Sequence, residues 1–142
     1  MRPGGAGDMQ RPMLRAAPLI VIFAFSIVAA VAQGSVLSVD EQGARHGQSL
    51  AAMKTCPGAR TTPKVAELAA SIPGSDRAAF DAASANIVAA WEKAFRCTDI
   101  DPAQFPREVN GCRKSKILSC TSAWREIGPD GSALPGLLEF AP

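Results

Sequence analysis

The stretch Ser75–Arg96, SDRAAFDAASANIVAAWEKAFR, decides the fold of this chain. Ser75 is a favourable N-cap, and Asp76 places a negative charge at the positive end of a helix dipole. The larger side chains recur at helical spacing on one stripe: Phe80, Ser84, Ile87, Val88, Trp91 and Phe95. No polar groups converge on this stripe, so we expect it to pack in a protein core rather than to line a cofactor groove.

The segments on either side of this stretch also predict helices. Residues 39–55 predict a first helix, although Gly43 and Gly47 weaken its front half, since each costs about 1 kcal/mol relative to alanine. A short helix is predicted over residues 64–71 and a last helix over residues 107–127. Few segments show the alternation of apolar and polar residues that is typical of a half-buried strand. The sequence therefore predicts an all-α fold, a small bundle of three to four helices.

The last predicted helix has an apolar face with an internal conflict. The face consists of Val109, Cys112, Ile117, Cys120, Trp124 and Ile127. Arg113 and Lys116 lie in the same sector of the helix. Either their aliphatic stems cover the edge of the face while their charges reach water, or the regular helix begins only near Cys112, after Gly111.

Residues 1–32 have the three regions of a secretory signal peptide. Arg11 and Arg15 precede an apolar run over residues 18–28, and an Ala-Val-Ala sequence ending at Ala32 supplies the small residues of a cleavage site. The alternative is an uncleaved anchor, because the uncharged run is near the short limit for spanning a bilayer. We expect cleavage, and therefore a domain exported to the periplasm or the extracellular space.

The charges of the expected mature domain, residues 33–142, are balanced. The chain has 15 basic and 13 acidic residues; three arginines and one aspartate precede residue 33, which leaves 12 of each sign. Binding to nucleic acid or to an anionic membrane requires clustered Lys and Arg. We therefore expect neither nucleic acid nor, after cleavage of the leader, a membrane as a partner.

Four cysteines lie in this domain: Cys56, Cys97, Cys112 and Cys120. An even number of cysteines in a small exported domain predicts disulfides. The gaps between them, 40, 14 and 7 residues, lack the close pairs that structural zinc requires. We therefore expect two disulfides and no bound metal.

Helix geometry narrows the three possible pairings of these cysteines. Within one helix Cys112 and Cys120 are about 12 Å apart, whereas bridged Cα atoms lie within about 7 Å of each other. A helical hairpin brings Cys97 next to Cys112, so the preferred pairing is Cys97–Cys112 with Cys56–Cys120. The pairing Cys56–Cys112 with Cys97–Cys120 stays open.

Few residues of the domain are suited to catalysis. His46, the only histidine, has no nucleophile or carboxylate at a recognised spacing, and we expect it at the surface. Asp99, Asp101 and Glu108 are the residues on which a carboxylate-dependent mechanism, such as glycoside hydrolysis, would depend. We predict that the protein is not an enzyme and binds no cofactor.

The tail, residues 134–142, is unusually apolar. It carries Leu134, Leu137, Leu138 and Phe140. Chain ends fray unless they are tied down, so the tail either packs over Trp91 or Trp124 or is a free, irregular segment that docks into a partner's groove. We expect the packed form, and the free form would make these four residues the partner-binding site.

These features together predict an exported, non-enzymatic module that binds another exported protein. The prediction rests on the missing catalytic constellation and on a stapled scaffold that would hold a contact surface rigid. Two other functions stay open: a small secreted carboxylate-dependent hydrolase, and a purely structural protein of the cell envelope.

We predict that the protein isolated from the cell that produces it begins at Gln33. Amino-terminal sequencing should read QGSVLSVD, because the small residues at the end of the leader form a cleavage site. A chain that sediments with the membrane and retains Arg15 would contradict this prediction and support the uncleaved anchor.

Overall fold

The computed structural model describes residues 36–141, and the predicted signal peptide over residues 1–32 lies outside them. This part of the chain contains four α-helices, one short 3₁₀ helix and one two-stranded sheet. In chain order they are α1 (Val39–Thr55), β1 (Ala59–Thr61), α2 (Pro63–Ser71), α3 (Arg77–Ala94), the 3₁₀ helix (Cys97–Asp99), α4 (Pro106–Ile127) and β2 (Leu138–Phe140). The predicted small helical fold is confirmed, but the sequence gives no indication of the sheet.

Helix α1 begins with a complete capping box. The Ser38 hydroxyl accepts a hydrogen bond from the Glu41 backbone N–H, and the Glu41 carboxylate accepts one from the Ser38 backbone N–H at 2.8 Å. The Ser38 backbone N–H and the Ser38 hydroxyl, which also donates to the Glu41 carboxylate at 2.9 Å, both lower the pKa of Glu41. The box satisfies backbone donors that a helix start leaves free, which offsets the unfavourable helix propensity of Gly43 and Gly47.

Helices α1 and α3 pack closely because two glycines lie at their contact. A Cβ atom on Gly43 would lie 3.0 Å from the Phe80 Cα, and one on Gly47 would lie 2.9 Å from the Ser84 Cα. Each would also collide with the carbonyl oxygen of that α3 residue. The two glycines therefore allow the two backbones to approach each other, a role that their helix propensity does not reveal.

The hydrophobic core joins the helices to the two-stranded sheet. Phe80 of α3, Ile127 of α4 and Leu138 of β2 are its largest fully buried apolar side chains. On the predicted α3 stripe Phe80 and Ser84 are buried, whereas the other four residues are partly exposed. The stripe is therefore fully buried only at the amino-terminal half of α3, and beyond it Trp91 packs against the core while remaining partly exposed.

The tail closes this core. Strand β2 pairs antiparallel with β1, with Leu138 opposite Thr61 and Phe140 opposite Ala59. Leu137 and Leu138 are both buried, and Leu134 packs against the core. Of the two expected forms of the tail, the structure has the packed one. The tail is not irregular throughout, since its residues 138–140 form a strand. This strand is too short to give a recognisable alternation in the sequence.

Two disulfides hold α4 at two points. Cys56, next to the end of α1, is joined to Cys120 with a Cα–Cα distance of 5.8 Å. Cys97, at the start of the 3₁₀ helix, is joined to Cys112 with a Cα–Cα distance of 5.7 Å. This is the pairing that helix geometry favours.

Within residues 36–141, no helix combines the length and apolarity needed to span a bilayer.

We predict that Gly47→Ala destabilises the fold even though alanine favours helices. Its Cβ would overlap the Ser84 backbone, and α1 would have to move away from α3. Chemical denaturation of the oxidised protein should show a loss of about 1–3 kcal/mol in the free energy of unfolding.

Gly111→Ala is the matched control for this substitution. Gly111 lies inside α4, and a Cβ there meets no atom within 4 Å. This variant should gain up to about 1 kcal/mol from helix propensity alone. Equal stabilisation by both substitutions would show that α1 and α3 are not in close contact at Gly47.

Candidate functional site

The middle of α4 presents apolar side chains to solvent. Ile117 is 66% exposed, Leu118 is 60% exposed and Trp124 is 39% exposed, whereas Val109 and Ile127, nearer the two ends of the helix, are buried. The apolar face predicted for this helix is therefore exposed at Ile117 and partly exposed at Trp124. An apolar helical stripe indicates a face, but it does not show whether another element covers that face along its whole length.

A groove of about 620 Å³ runs along this exposed part of α4. Its walls come from the turn after α1, from α4 and from β2. The lining residues are Pro57, Arg113, Lys116, Ile117, Cys120, Thr121, Trp124 and Phe140. Because Cys120 is bonded to Cys56, the disulfide holds the floor of the groove against the end of α1.

An aromatic pair forms one end of the groove. The rings of Trp124 and Phe140 meet edge to face, with their centroids 4.9 Å apart and their planes at 74°. A Cβ on Gly128 would lie 3.0 Å from Cδ2 of Trp124, so the missing side chain lets the indole lie against the backbone. Trp124 and Phe140 are each 39% exposed, which leaves apolar surface available to a ligand.

Two basic side chains lie at the other end of the groove. Arg113 and Lys116 are one helical turn apart on α4 and both line the groove. Neither forms an ion pair with another residue of 36–141, where the ion pairs are Arg45–Glu126, Lys54–Glu92 and Arg77–Asp81. Because α4 starts at Pro106, the second explanation of the conflict in its apolar face, a helix that begins only near Cys112, is wrong. Arg113 and Lys116 belong to the regular helix and border the groove.

A second, smaller cavity of about 300 Å³ adjoins the basic end of the groove. Lys116 lines both cavities, and the second is also lined by Trp91, Phe95 and Arg96. On the same cavity the Lys54 ammonium donates a hydrogen bond of 2.9 Å to Glu92, which lowers the pKa of Glu92. Because the charges of Lys54 and Glu92 compensate each other, Arg96 and Lys116 give this cavity its positive charge. The basic character of the surface therefore extends beyond the groove itself.

The four apolar tail residues, which the free form of the tail would offer to a partner, lie in different environments. Leu137 and Leu138 lie in the core, and Leu134 is partly buried against it. Only Phe140 lines the groove. The apolar stripe of α4 does not reveal that Ile117 and Trp124 reach the surface. The signal that identifies them is the presence of Arg113 and Lys116 in their sector, because charged residues seldom lie in a covered helix face.

His46 is not the solvated surface residue that its neighbours suggest. Its Nδ1 lies 2.8 Å from the Ser84 hydroxyl, and its ring centroid lies 5.0 Å from that of Phe80. Burial lowers the pKa of His46, and the positive charge of Arg77 lowers it further, against a smaller opposite effect of Asp81. The close approach of α3 at Gly43 and Gly47 covers this side chain, so its neighbours in the sequence are a poor guide.

The three carboxylates considered for catalysis are all exposed and lie outside the lining of the groove. Asp101 accepts a hydrogen bond of 2.9 Å from the Ala103 backbone N–H, which is a turn contact. Asp99 lies in the 3₁₀ helix and Glu108 in the first turn of α4. Over residues 36–141 there is no group of three or more His, Cys, Asp or Glu residues placed to hold a metal ion.

Comparison of the chain with known protein families, with curated proteins and with solved structures finds no match. The groove along α4 is therefore the feature from which function can be argued. It combines an apolar floor, an aromatic end and a basic end.

We predict that His46 makes the fold less stable in weak acid. The unfolded chain takes up a proton at the ordinary histidine pKa of about 6.5, whereas folded His46 does so only at lower pH. Its contribution to stability is therefore complete above about pH 6.5 and is lost as the pH falls from there through the folded pKa.

His46→Gln provides the comparison, because glutamine does not titrate and can still donate a hydrogen bond to Ser84. Urea unfolding between about pH 7.5 and pH 5 should show a decline in stability for the original chain and a smaller decline for the variant. Identical declines would mean that His46 titrates alike in the folded and unfolded states.

Proposed function

We propose that this chain is an exported protein-binding module, and that the groove along α4 binds an apolar segment of a partner protein. The observation that carries the proposal is the exposure of Ile117, Trp124 and Phe140 around one groove. Soluble domains bury such side chains when they can, and a contiguous exposed patch marks an interaction site. Aromatic residues and arginine, both present here, are enriched where proteins bind one another.

The disulfides support this proposal because they fix the groove before any ligand binds. Cys120 belongs to the floor, and Cys112 is adjacent to Arg113 at the basic end. A surface held in its binding geometry loses little conformational entropy on association. Pre-organisation of this kind is of direct use to a binding module.

Export is supported by two independent features. Residues 1–32 have the pattern of a signal peptide. The two disulfides are of a kind that persists in oxidising compartments and is rare in the cytosol. We therefore propose the periplasm or the extracellular space as the place where the partner is met.

We expect Ile117→Glu to weaken partner binding strongly while the fold is retained. Affinity capture of the tagged protein from its own envelope fraction should yield one stoichiometric partner. The purified partner should then bind Ile117→Glu at least about tenfold more weakly by calorimetry, since burial of such a side chain is worth about 1.5–3 kcal/mol.

Leu118→Glu is the matched control. Leu118 is nearly as exposed as Ile117 and adjacent to it, but it does not line the groove, so this variant should bind as the original chain does. Circular dichroism should show the same helicity for both variants. The absence of a stoichiometric partner, or equal binding by Ile117→Glu, would overturn the proposal.

A further inference from the structure

The apolar part of the groove matches the spacing of a helical ligand. Ile117, Thr121 and Trp124 lie on one side of α4 at steps of four and three residues, which spans about 10 Å along the helix axis. Helices that bind in grooves use anchors with this same periodicity. About three turns of a partner helix would cover the groove from Arg113 at its basic end to Trp124 at its aromatic end.

The exposure of the floor indicates that the ligand has a polar side as well. Ile117 is 66% exposed, so the groove is open along one flank and cannot enclose its ligand. A ligand that is apolar all round, such as an acyl chain, needs a site that buries most of its surface. An amphipathic helix fits an open groove of this kind, because its apolar stripe faces the floor and its polar face stays in water.

The two basic side chains determine the charge of the ligand. A partner that covered the amino-terminal end of the groove would remove water from Arg113 and Lys116, which have no acidic partner within residues 36–141. Loss of that hydration is costly unless opposite charges replace it. Carboxylates beside the apolar stripe of the ligand would do so, and Arg96 on the adjoining cavity adds to the positive charge there.

The same charges disfavour the chain itself as the ligand. A second copy docked through the same groove would bring its own Arg113 and Lys116, rather than carboxylates, to the contact. The apolar leader has the same disadvantage, because it follows two arginines, Arg11 and Arg15, at its start.

We infer that the ligand of the groove is an amphipathic helix that carries acidic residues beside its apolar stripe, with the acidic end over Arg113 and Lys116. This inference rests on the proposed function and specifies the chemistry of the partner. The binding energy comes from the apolar floor and the aromatic pair. The basic end selects the sign of the charge and the direction of the helix along α4.

Three synthetic helical peptides test this inference. They share one stripe of leucines about four turns long and differ only at the flanking positions, which are Glu, Gln or Lys. Titrated into the oxidised protein, the Glu peptide should bind about tenfold more tightly than the Gln peptide, and the Lys peptide should bind most weakly. The difference should shrink between about 50 mM and about 500 mM NaCl, since salt screens exposed charges.

Charge reversal in the protein assigns the effect to the groove. The double variant Arg113→Glu with Lys116→Glu should prefer the Lys peptide. Lys114→Glu is the matched control: Lys114 is an exposed basic residue on the same helix that does not line the groove, and its variant should keep the original preference.

The outcomes distinguish the inference from the proposed function. If the Glu and Gln peptides bind equally and Ile117→Glu abolishes both, the apolar groove is a protein-binding site and the acidic inference is overturned. If no peptide binds, the inference is also overturned, and envelope capture with Ile117→Glu decides the proposed function separately. A dimer that Ile117→Glu dissociates, or palmitate binding that displaces the Glu peptide, would assign the groove to a second copy or to an acyl ligand.

Discussion

The disulfide between Cys56 and Cys120 connects the hydrophobic core to the groove. Cys56 is a buried member of the core cluster, whereas Cys120 lies on the groove floor. The bond closes a sequence separation of 64 residues, which in the chain-entropy model is worth about 4 kcal/mol. Typical domain stability is only about 5–15 kcal/mol. The position of the groove floor against the end of α1 therefore depends on this covalent contact, while the second disulfide holds α4 at Cys112.

The rest of the core explains why such a staple is needed. Apart from Gln48, the buried residues of α1 are small, and α1 lies close to α3 because Gly43 and Gly47 let the backbones meet. Close backbone packing buries little apolar area per residue, and the chain is only 6% aromatic. Hydrophobic burial scales with area, so a small domain built this way gains relatively little from it. The disulfides and the packed tail supply what the helix interface does not.

The sequence was sufficient where local physics decides the structure. The existence of helix α3 follows from its stripe of large side chains, although its N-cap is Asp76 and not Ser75. The distance between Cys112 and Cys120 along one helix excludes one of the three disulfide pairings, and the helical hairpin favours the observed pairing over the one that stayed open. It was insufficient where distant elements decide. His46 is covered only because α3 approaches α1, and β2 exists only because β1 lies beside it. The groove depends on which part of α4 is left uncovered, so the sequence supplied its residues but not their exposure.

The charges around the groove act in two directions under the proposed function. An exposed apolar patch on a stapled domain tends towards self-association, because it presents the same surface on every copy. Two copies that met through this groove would each bury Arg113 and Lys116 with no carboxylate to replace their water, which is costly. An acidic helix instead reduces that cost, because its carboxylates replace the water that both basic side chains lose on burial. Repulsion of a second copy and attraction of an acidic partner therefore have the same physical origin. The apolar floor itself does not discriminate between the two.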